Sequence, residues 1–434
     1  MNTFTPNQVS DTKKLRTDNS EPKTQNPKLK KDLLKKYFLW SVLIVCISLI
    51  SGTASALFLV ALEWVGDFRN NHIYLVLLLP FMGLAIGLLY KYWGKEIATG
   101  NNLVIEEIQE PKNFISWLMA PIIFITTLMT HLVGGSAGRE GTAVQMSASL
   151  NDHLSRRFKL DSVHRKTLLL ASVAAGFASV FGTPFAGAIF ALEFAWLGSI
   201  NLVAIIPILL AAFGADFVTQ ILWKVGHTSY FVYDIPTFSL QNIALTLVVG
   251  LIFGITALTY TKLSHWINAQ SKTLISNDIW RIFVGGYILL AIFTISHCLF
   301  QNDRYLGLGI EHIQKAFETP AASHDFILKM ALTAFTLGVG FKGGEVTPLF
   351  FIGATLGSAL SVFLPLPVAL MAAMGFVAVF SGCARTPLAS VMMGIELFGA
   401  ATIPYISMAC FVAYIIAKNQ GIYTSQKTYY FRDK

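Results

Sequence analysis

The chain has 434 residues, 54% of them hydrophobic and only 13% charged, with a formal net charge of +8. Soluble domains carry roughly 25% charged residues, and a single soluble core stops growing as chains lengthen. The composition therefore excludes an ordinary soluble globular protein and predicts an all-α, polytopic membrane protein.

Residues 1–36 come first, with nine Lys or Arg against four Asp or Glu. Up to about Pro27 the composition is that of a disordered segment. The stretch is too long and too polar for a cleavable signal peptide. Because basic flanks stay cytoplasmic, residues 1–36 are expected to form a disordered basic cytoplasmic tail. A nucleic-acid-binding arm is the rival reading, but no aromatics are interleaved with the charges and an apolar run follows directly. Apolar runs then cover Phe38–Leu62, Ile73–Leu89 and Phe114–Leu128. Runs of about 20 residues match the hydrocarbon thickness as helices. Between Asn151 and Lys166 lie Arg156, Arg157, Lys159, Arg165 and Lys166, and from Lys418 to Lys434 there are four basic residues and one acid. This loop and both termini are expected on the cytoplasmic side, which requires an even number of crossings. Cys46, Cys298, Cys383 and Cys410 show no metal-ligand spacing and are assigned to packing. No cofactor and no metal are expected.

The spans are interrupted at Gly134–Gly141, Gly182–Pro184, Gly338–Pro348 and Gly382–Pro387. Irregular backbone at membrane depth must be buried in protein or line a cavity. The breaks also repeat. Gly135, Gly138, Glu140 and Thr142 recur 205 residues later as Gly340, Gly343, Glu345 and Thr347. Thr183–Pro184 with Glu193 recurs 203 residues later as Thr386–Pro387 with Glu396. A duplicated membrane domain, with halves at about 38–222 and 240–425, accounts for both offsets. Inverted repeats of broken helices place a substrate site between the halves.

Within Gly134–Thr142 the glycines permit close backbone approach, and the apolar stretch after them is helical. Glu140 then sits at a helix N-terminus, where free N–H groups attract anions. A carboxylate there can occupy an anion site, leave when protonated, and carry the proton. An ion pair with Arg139 that only stabilises the fold is the alternative. Gly134–Gly138 also matches G-x-S-x-G, which raises an intramembrane hydrolase using Ser136. Its base would be His131 or His297, and no surrounding pattern supports either.

Gly138–Arg139–Glu140–Gly141 resembles the GREG signature of the CLC chloride channel and transporter family, and Gly343–Pro348 resembles its second pore motif, GGxFxP. Gly182–Gly187 through Glu193 resembles the helix that follows the first motif. The resemblance spans roughly residues 38 to 425. It implies two inverted halves of tilted, broken helices and a homodimer with one anion path per subunit. Glu140 is implied as the gating and proton-coupling residue, and Tyr423 as the pore tyrosine. Three departures point to the fluoride-exporting bacterial branch: Gly100–Asn101–Asn102 in place of GSG, Thr142 in place of the proline after GREG, and Glu345–Val346–Thr347 in the second motif. Fluoride is strongly hydrated, so it needs strong donors such as an amide or hydroxyl. The alternative reading is that Asn101 and Thr347 cap the helices that start there.

The expected anion site is thus Asn101, Gly138, Arg139, Gly141, Glu345, Val346, Thr347 and Tyr423, with Glu140 as gate. Glu193 is followed by Phe194, where many proton-coupled members carry a second acid, so the inner proton route is left open. Lys342 either raises the local anion potential or snorkels. The function expected is fluoride/proton antiport in a bacterial inner membrane, with fluoride or chloride, protons and the bilayer as partners and no nucleic acid. A chloride/proton exchanger or chloride channel is the alternative. Residues 426–434 are expected to be a C-terminal tail, and no regulatory CBS domains are expected.

Overall fold

The computed structural model describes residues 27–197, 202–300, 303–417 and 420–428; the expected tail up to residue 26, like residues 429–434, lies outside the described residues. Eight helices form the first part: α1 (Pro27–Asn71), α2 (Leu79–Tyr92), α3 (Asn101–Gln109), α4 (Met119–Leu132), α5 (Glu140–Arg157), α6 (Ser162–Phe181), α7 (Pro184–Ala195) and α8 (Leu202–Phe217). Eight more follow: α9 (Leu240–Leu274), α10 (Asp278–Phe300), α11 (Ile310–Glu318), α12 (Asp325–Gly338), α13 (Val346–Leu360), α14 (Val368–Ala384), α15 (Pro387–Phe398) and α16 (Ile403–Ala417). The fold is all-α. Strand pairing among the described residues is confined to Trp196–Leu197 beside Lys427–Thr428, two residues each and parallel.

The chain divides into two compact units, Met1–Val42 and Leu43–Lys434. In the first, the described residues are the start of α1, where Ser41 Oγ donates to the Tyr37 carbonyl at 3.0 Å. Helix begins at Pro27, earlier than the boundary expected at residue 36. Proline is favoured in the first turn, where its missing N–H has no helical partner, and the lysines after it are good helix formers.

In the second unit the repeated breaks become repeated helix ends. Helix α6 stops at Gly182 and α14 at Arg385, both left-handed with φ of 72° and 56°. A left-handed residue is a common way to end a helix. Each is followed by a threonine and by a proline that opens the next helix, α7 or α15. Among the described residues, six helical stretches are long and apolar enough to cross a membrane. Helices α4, α7, α13, α14 and α15 are apolar but only 12–17 residues long. Helices α13 and α14 are buried almost throughout and pack backbone to backbone. A Cβ on Gly353 would lie 2.0 Å from the Gly375 carbonyl oxygen, and one on Gly375 equally close to Gly353. Small residues of this kind let membrane helices approach where apolar burial gives little drive.

The basic loop is shorter than its sequence suggested. Helix α5 runs to Arg157 and α6 starts at Ser162, so Arg165 falls inside a helix. Its guanidinium is buried between Asp152, at 2.7 Å, and Glu107, at 3.0 Å. Two carboxylates consume that charge. The C-terminal boundary also shifts: Gln426 is buried, and its amide donates to the Glu193 carbonyl at 2.8 Å.

Candidate functional site

The two glycine-rich breaks meet. Gly138 N–H donates to the Gly344 carbonyl at 2.6 Å, and Gly344 N–H returns to the Gly138 carbonyl at 2.8 Å. This antiparallel bridge brings the N-terminus of α5 against that of α13. Neither N-cap residue, Arg139 or Glu345, caps its helix with its side chain, and the N-terminal amides of α13 are open to a partner from the other half.

Glu140 supplies it. Its carboxylate is 1% exposed, which means water cannot solvate the charge. Thr347 N–H donates to Oε2 at 3.1 Å, and the Thr347 hydroxyl donates to Oε1 at 2.5 Å. Arg139 N–H donates to Oε2 at 3.1 Å, while its Nε stands 3.6 Å from Oε1. Two backbone amides, a hydroxyl and a nearby guanidinium therefore converge on one buried anion at a helix N-terminus. The alternative of an isolated Arg139–Glu140 ion pair is too narrow, because the contacts to Thr347 cross between the halves.

Space is distributed unequally around this carboxylate. On one side lies a cavity in which a water centre can range over only about 20 Å³, floored by Arg139, Glu140 and Thr347. A second cavity, of about 200 Å³, is lined by Asn101, Gly343, Gly344, Glu345, Lys342 and Tyr423, but not by Glu140 itself. A cavity of about 1120 Å³ shares Lys342 and Glu345 with it and adds Lys91, Lys95, Lys272 and Arg281. The wide side is rich in cations. Glu345 lines both wide cavities, and Ser264 Oγ donates to its Oε1 at 3.4 Å.

The structure thus gathers Glu140, Arg139, Gly138, Gly141, Val346, Thr347, Asn101, Glu345 and Tyr423 around one crossing. Asn101 opens α3, and its Nδ2 lies 2.9 Å from where a Cβ on Gly141 would stand. Any larger residue at 141 would push this amide aside. Its Oδ1 is buried with no partner among the described residues. Tyr423 is buried, with its ring edge-on to Phe194 at 5.0 Å. Phe194, at the position of the absent second acid, is thus part of the tyrosine's seat. Lys342 holds its ammonium 4.0 Å from the Tyr90 ring centroid, a cation–π contact on the wall of the wide cavities.

Some expectations change. Neither Asn101 nor Thr347 caps its own helix; the Thr347 hydroxyl serves Glu140 instead. Thr142, offered as a donor for the anion, has its hydroxyl 2.9 Å from that of Thr127 and fully buried. Ser136 Oγ lies 2.9 Å from Thr333 Oγ1. Both ring nitrogens of His131 face carbonyls, Thr127 at 2.9 Å and Ala137 at 3.0 Å, and His297 binds Asp303 at 2.7 Å. Among the described residues no Ser–His pair exists at Ser136.

Sequence reading missed two features. Glu193 accepts the N–H groups of Leu388 and Ala389 at 3.2 and 2.9 Å, at the start of α15. Glu396 accepts those of Phe185 and Ala186 at 2.9 and 2.7 Å, at the start of α7. The 203-residue offset identified the pair as equivalent but not as exchanging caps. Tyr230, which also lines the narrow cavity beside Glu140, was missed because no motif marks the irregular stretch that carries it.

Known proteins resemble this chain in sequence and fold. The family described as voltage gated chloride channel matches residues 82–418. A protein of Pseudomonas syringae pv. tomato described as a chloride/fluoride channel protein is 43% identical over 398 residues, covering 91% of this chain and 88% of its own. The crystal structure of a CLC-type fluoride/proton antiporter superposes with a TM-score of 0.86 at 35% identity, over 90% of this chain and 98% of that one. A slow cyanobacterial Cl-/H+ antiporter superposes with a TM-score of 0.76 at 21% identity, over 87% of this chain and 94% of that one, a likeness of fold. With the motifs of both halves inside the matched region, this chain belongs to the voltage gated chloride channel, or CLC, family of multi-pass membrane proteins.

Proposed function

We propose that the protein exchanges fluoride for protons and exports fluoride across a bacterial plasma membrane, with Glu140 as the moving gate. The observation that carries this reading is the Glu140 carboxylate seated on the Thr347 N–H and hydroxyl against a tight cavity, with a wide cavity lined by Gly344 and Glu345, which precede α13. A carboxylate held by donors in this way stands where a fluoride ion would bind. Protonation removes its charge and weakens its hold on the donors, so it leaves and the anion takes its place. Return of Glu140 to its seat releases the proton on one side and the anion on the other. The superposable antiporter carries fluoride in its description, which supports fluoride over chloride, while the description of the 43% identical relative names both anions.

Anion would reach the seat through the cation-lined wide cavities, passing Lys342, Asn101 and Tyr423. Glu345 lines both of these cavities, whereas Asp278 lines only the larger one and is paired with Arg281; Glu345 is therefore the acid that would relay protons on that side, where Phe194 cannot. That assigns the inner proton route to the second pore motif. The cation-rich side and both termini would face the cytoplasm, and two copies would form a homodimer with a separate path in each. Ser136, with its hydroxyl on Thr333, lends no support to hydrolase chemistry.

A passive channel is the second reading, favoured by the description of the P. syringae relative. Vesicles loaded with equal fluoride and chloride separate the readings, with both efflux rates and internal pH followed. Fluoride-favouring efflux with proton uptake, abolished in Glu140→Ala, is the expected result. Efflux without proton uptake would establish the channel, and chloride-favouring efflux would overturn the fluoride assignment.

A further inference from the structure

Resting on the fluoride reading, we infer that Tyr230 is a specificity-determining residue: its ring walls the narrow side of the gate so that only an anion of about water's size can stand against Glu140. The argument begins with volume. One water requires roughly 10–15 Å³ of the space open to its centre, and the cavity beyond Glu140 offers about 20 Å³. That is room for one water-sized particle, or two at most. An anion with its hydration shell is excluded. Fluoride is about as large as a water molecule, whereas chloride is distinctly larger. The floor's donor, Thr347, is held by Glu140 in this structure and is freed when Glu140 leaves, so a bare fluoride then finds a partner while a bare chloride meets walls.

Those walls are aromatic and braced. Phe350 of α13 stacks on Phe376 of α14 with centroids 3.9 Å apart and planes 11° from parallel. Phe181 of α6 meets Phe350 at 5.3 Å. The remaining ring, Tyr230, comes from the stretch between residues 224 and 239, which has no regular structure. It is wedged against Phe376 at 5.3 Å, Phe317 of α11 at 5.1 Å and Phe398 of α15 at 6.2 Å. Close-packed rings of this kind move little. Tyr230 is therefore the wall that can be removed without cutting into a helix that shapes the donor floor. Donors on one side and an excluding wall on the other combine attraction with rejection, as specificity requires.

The test uses the full-length chain in vesicles loaded with equal fluoride and chloride, reading the ratio of initial efflux rates. A ratio is independent of how much protein has folded. Wild type must favour fluoride; failure there overturns the function proposed above before any variant is read, and this inference with it. Tyr230→Ala is expected to lower the fluoride-to-chloride ratio by roughly tenfold or more, the scale on which pocket size discriminates, through a gain in chloride flux. Tyr230→Phe keeps the ring and is expected to keep the ratio. Should Tyr230→Ala not be recovered as monodisperse protein, Tyr230→Leu decides, with a smaller shift in the same direction. An unchanged ratio in the Ala or Leu variant overturns the inference. So does an equal drop in Tyr230→Phe, which would assign selectivity to the hydroxyl instead of the wall.

Discussion

Two pairs of repeated glutamates cross between the halves, and they behave differently. Glu193 and Glu396 keep the symmetry of the repeat: each caps the first turn of the other's helix through two backbone N–H groups. Glu140 and Glu345 break it. Glu140 reaches across to α13, but Glu345 does not return to α5 and turns instead to Ser264 and the wide cavities. Both pairs exploit the same physics, a carboxylate on the positive end of a helix. A reciprocal pair is closed and static, because each acid is satisfied by the other's helix. A one-sided pair leaves one acid seated and the other beside water. We read the closed pair as the axle of the fold and the broken pair as its moving part.

That distinction can be broken by substitution. Glu140→Ala should have the largest effect, eliminating proton uptake during fluoride efflux while the protein remains folded. Glu345→Gln should come next, lowering proton uptake by roughly 100-fold, the scale of a positioned proton carrier, as read by internal pH in the same vesicles. If instead Glu345→Gln is silent, the broken pair has only one working member. Thr347→Val should raise the half-saturating fluoride concentration by about tenfold, the worth of a hydrogen bond to a charged group, and Thr347→Ser should restore it. Glu193→Gln and Glu396→Gln should each cost about 1–3 kcal/mol of stability, visible as a lower unfolding midpoint in detergent, and leave the fluoride-to-chloride ratio intact. A changed ratio in either would mean that the closed pair also moves. Ser136→Ala should do least, with fluoride flux unchanged and about 1 kcal/mol of stability lost with the Thr333 contact.

Much of this was legible in the sequence because helix breaks in a membrane need glycine or proline, and both mark their places. The offsets of 205 and 203 residues aligned the halves, and Glu140 stood out as a carboxylate at a predicted helix start. What remained hidden depends on contacts between distant segments. Thr142 and Thr347 occupy equivalent positions, yet one hydroxyl meets Thr127 and the other Glu140. No local pattern distinguishes them. Arg165 looked like a loop charge until Glu107 and Asp152 closed on it. Tyr230 gains its place only from rings on α11, α14 and α15, which lie far from it in the chain.

The crossed caps of α7 and α15 also bear on how the protein is made. The amide that satisfies Glu193 belongs to Ala389, 196 residues later. At roughly 5–20 residues per second, the ribosome needs on the order of 10–40 s to supply it. Throughout that interval Glu193 and the first amides of α7 have no partners from the second half, and unpaired polar groups in lipid cost several kcal/mol each. The nascent first half is therefore an incomplete object that must be sheltered until its other half arrives. Insertion and folding of this chain are consequently two events separated in time, and the second half acts as the template that completes the first.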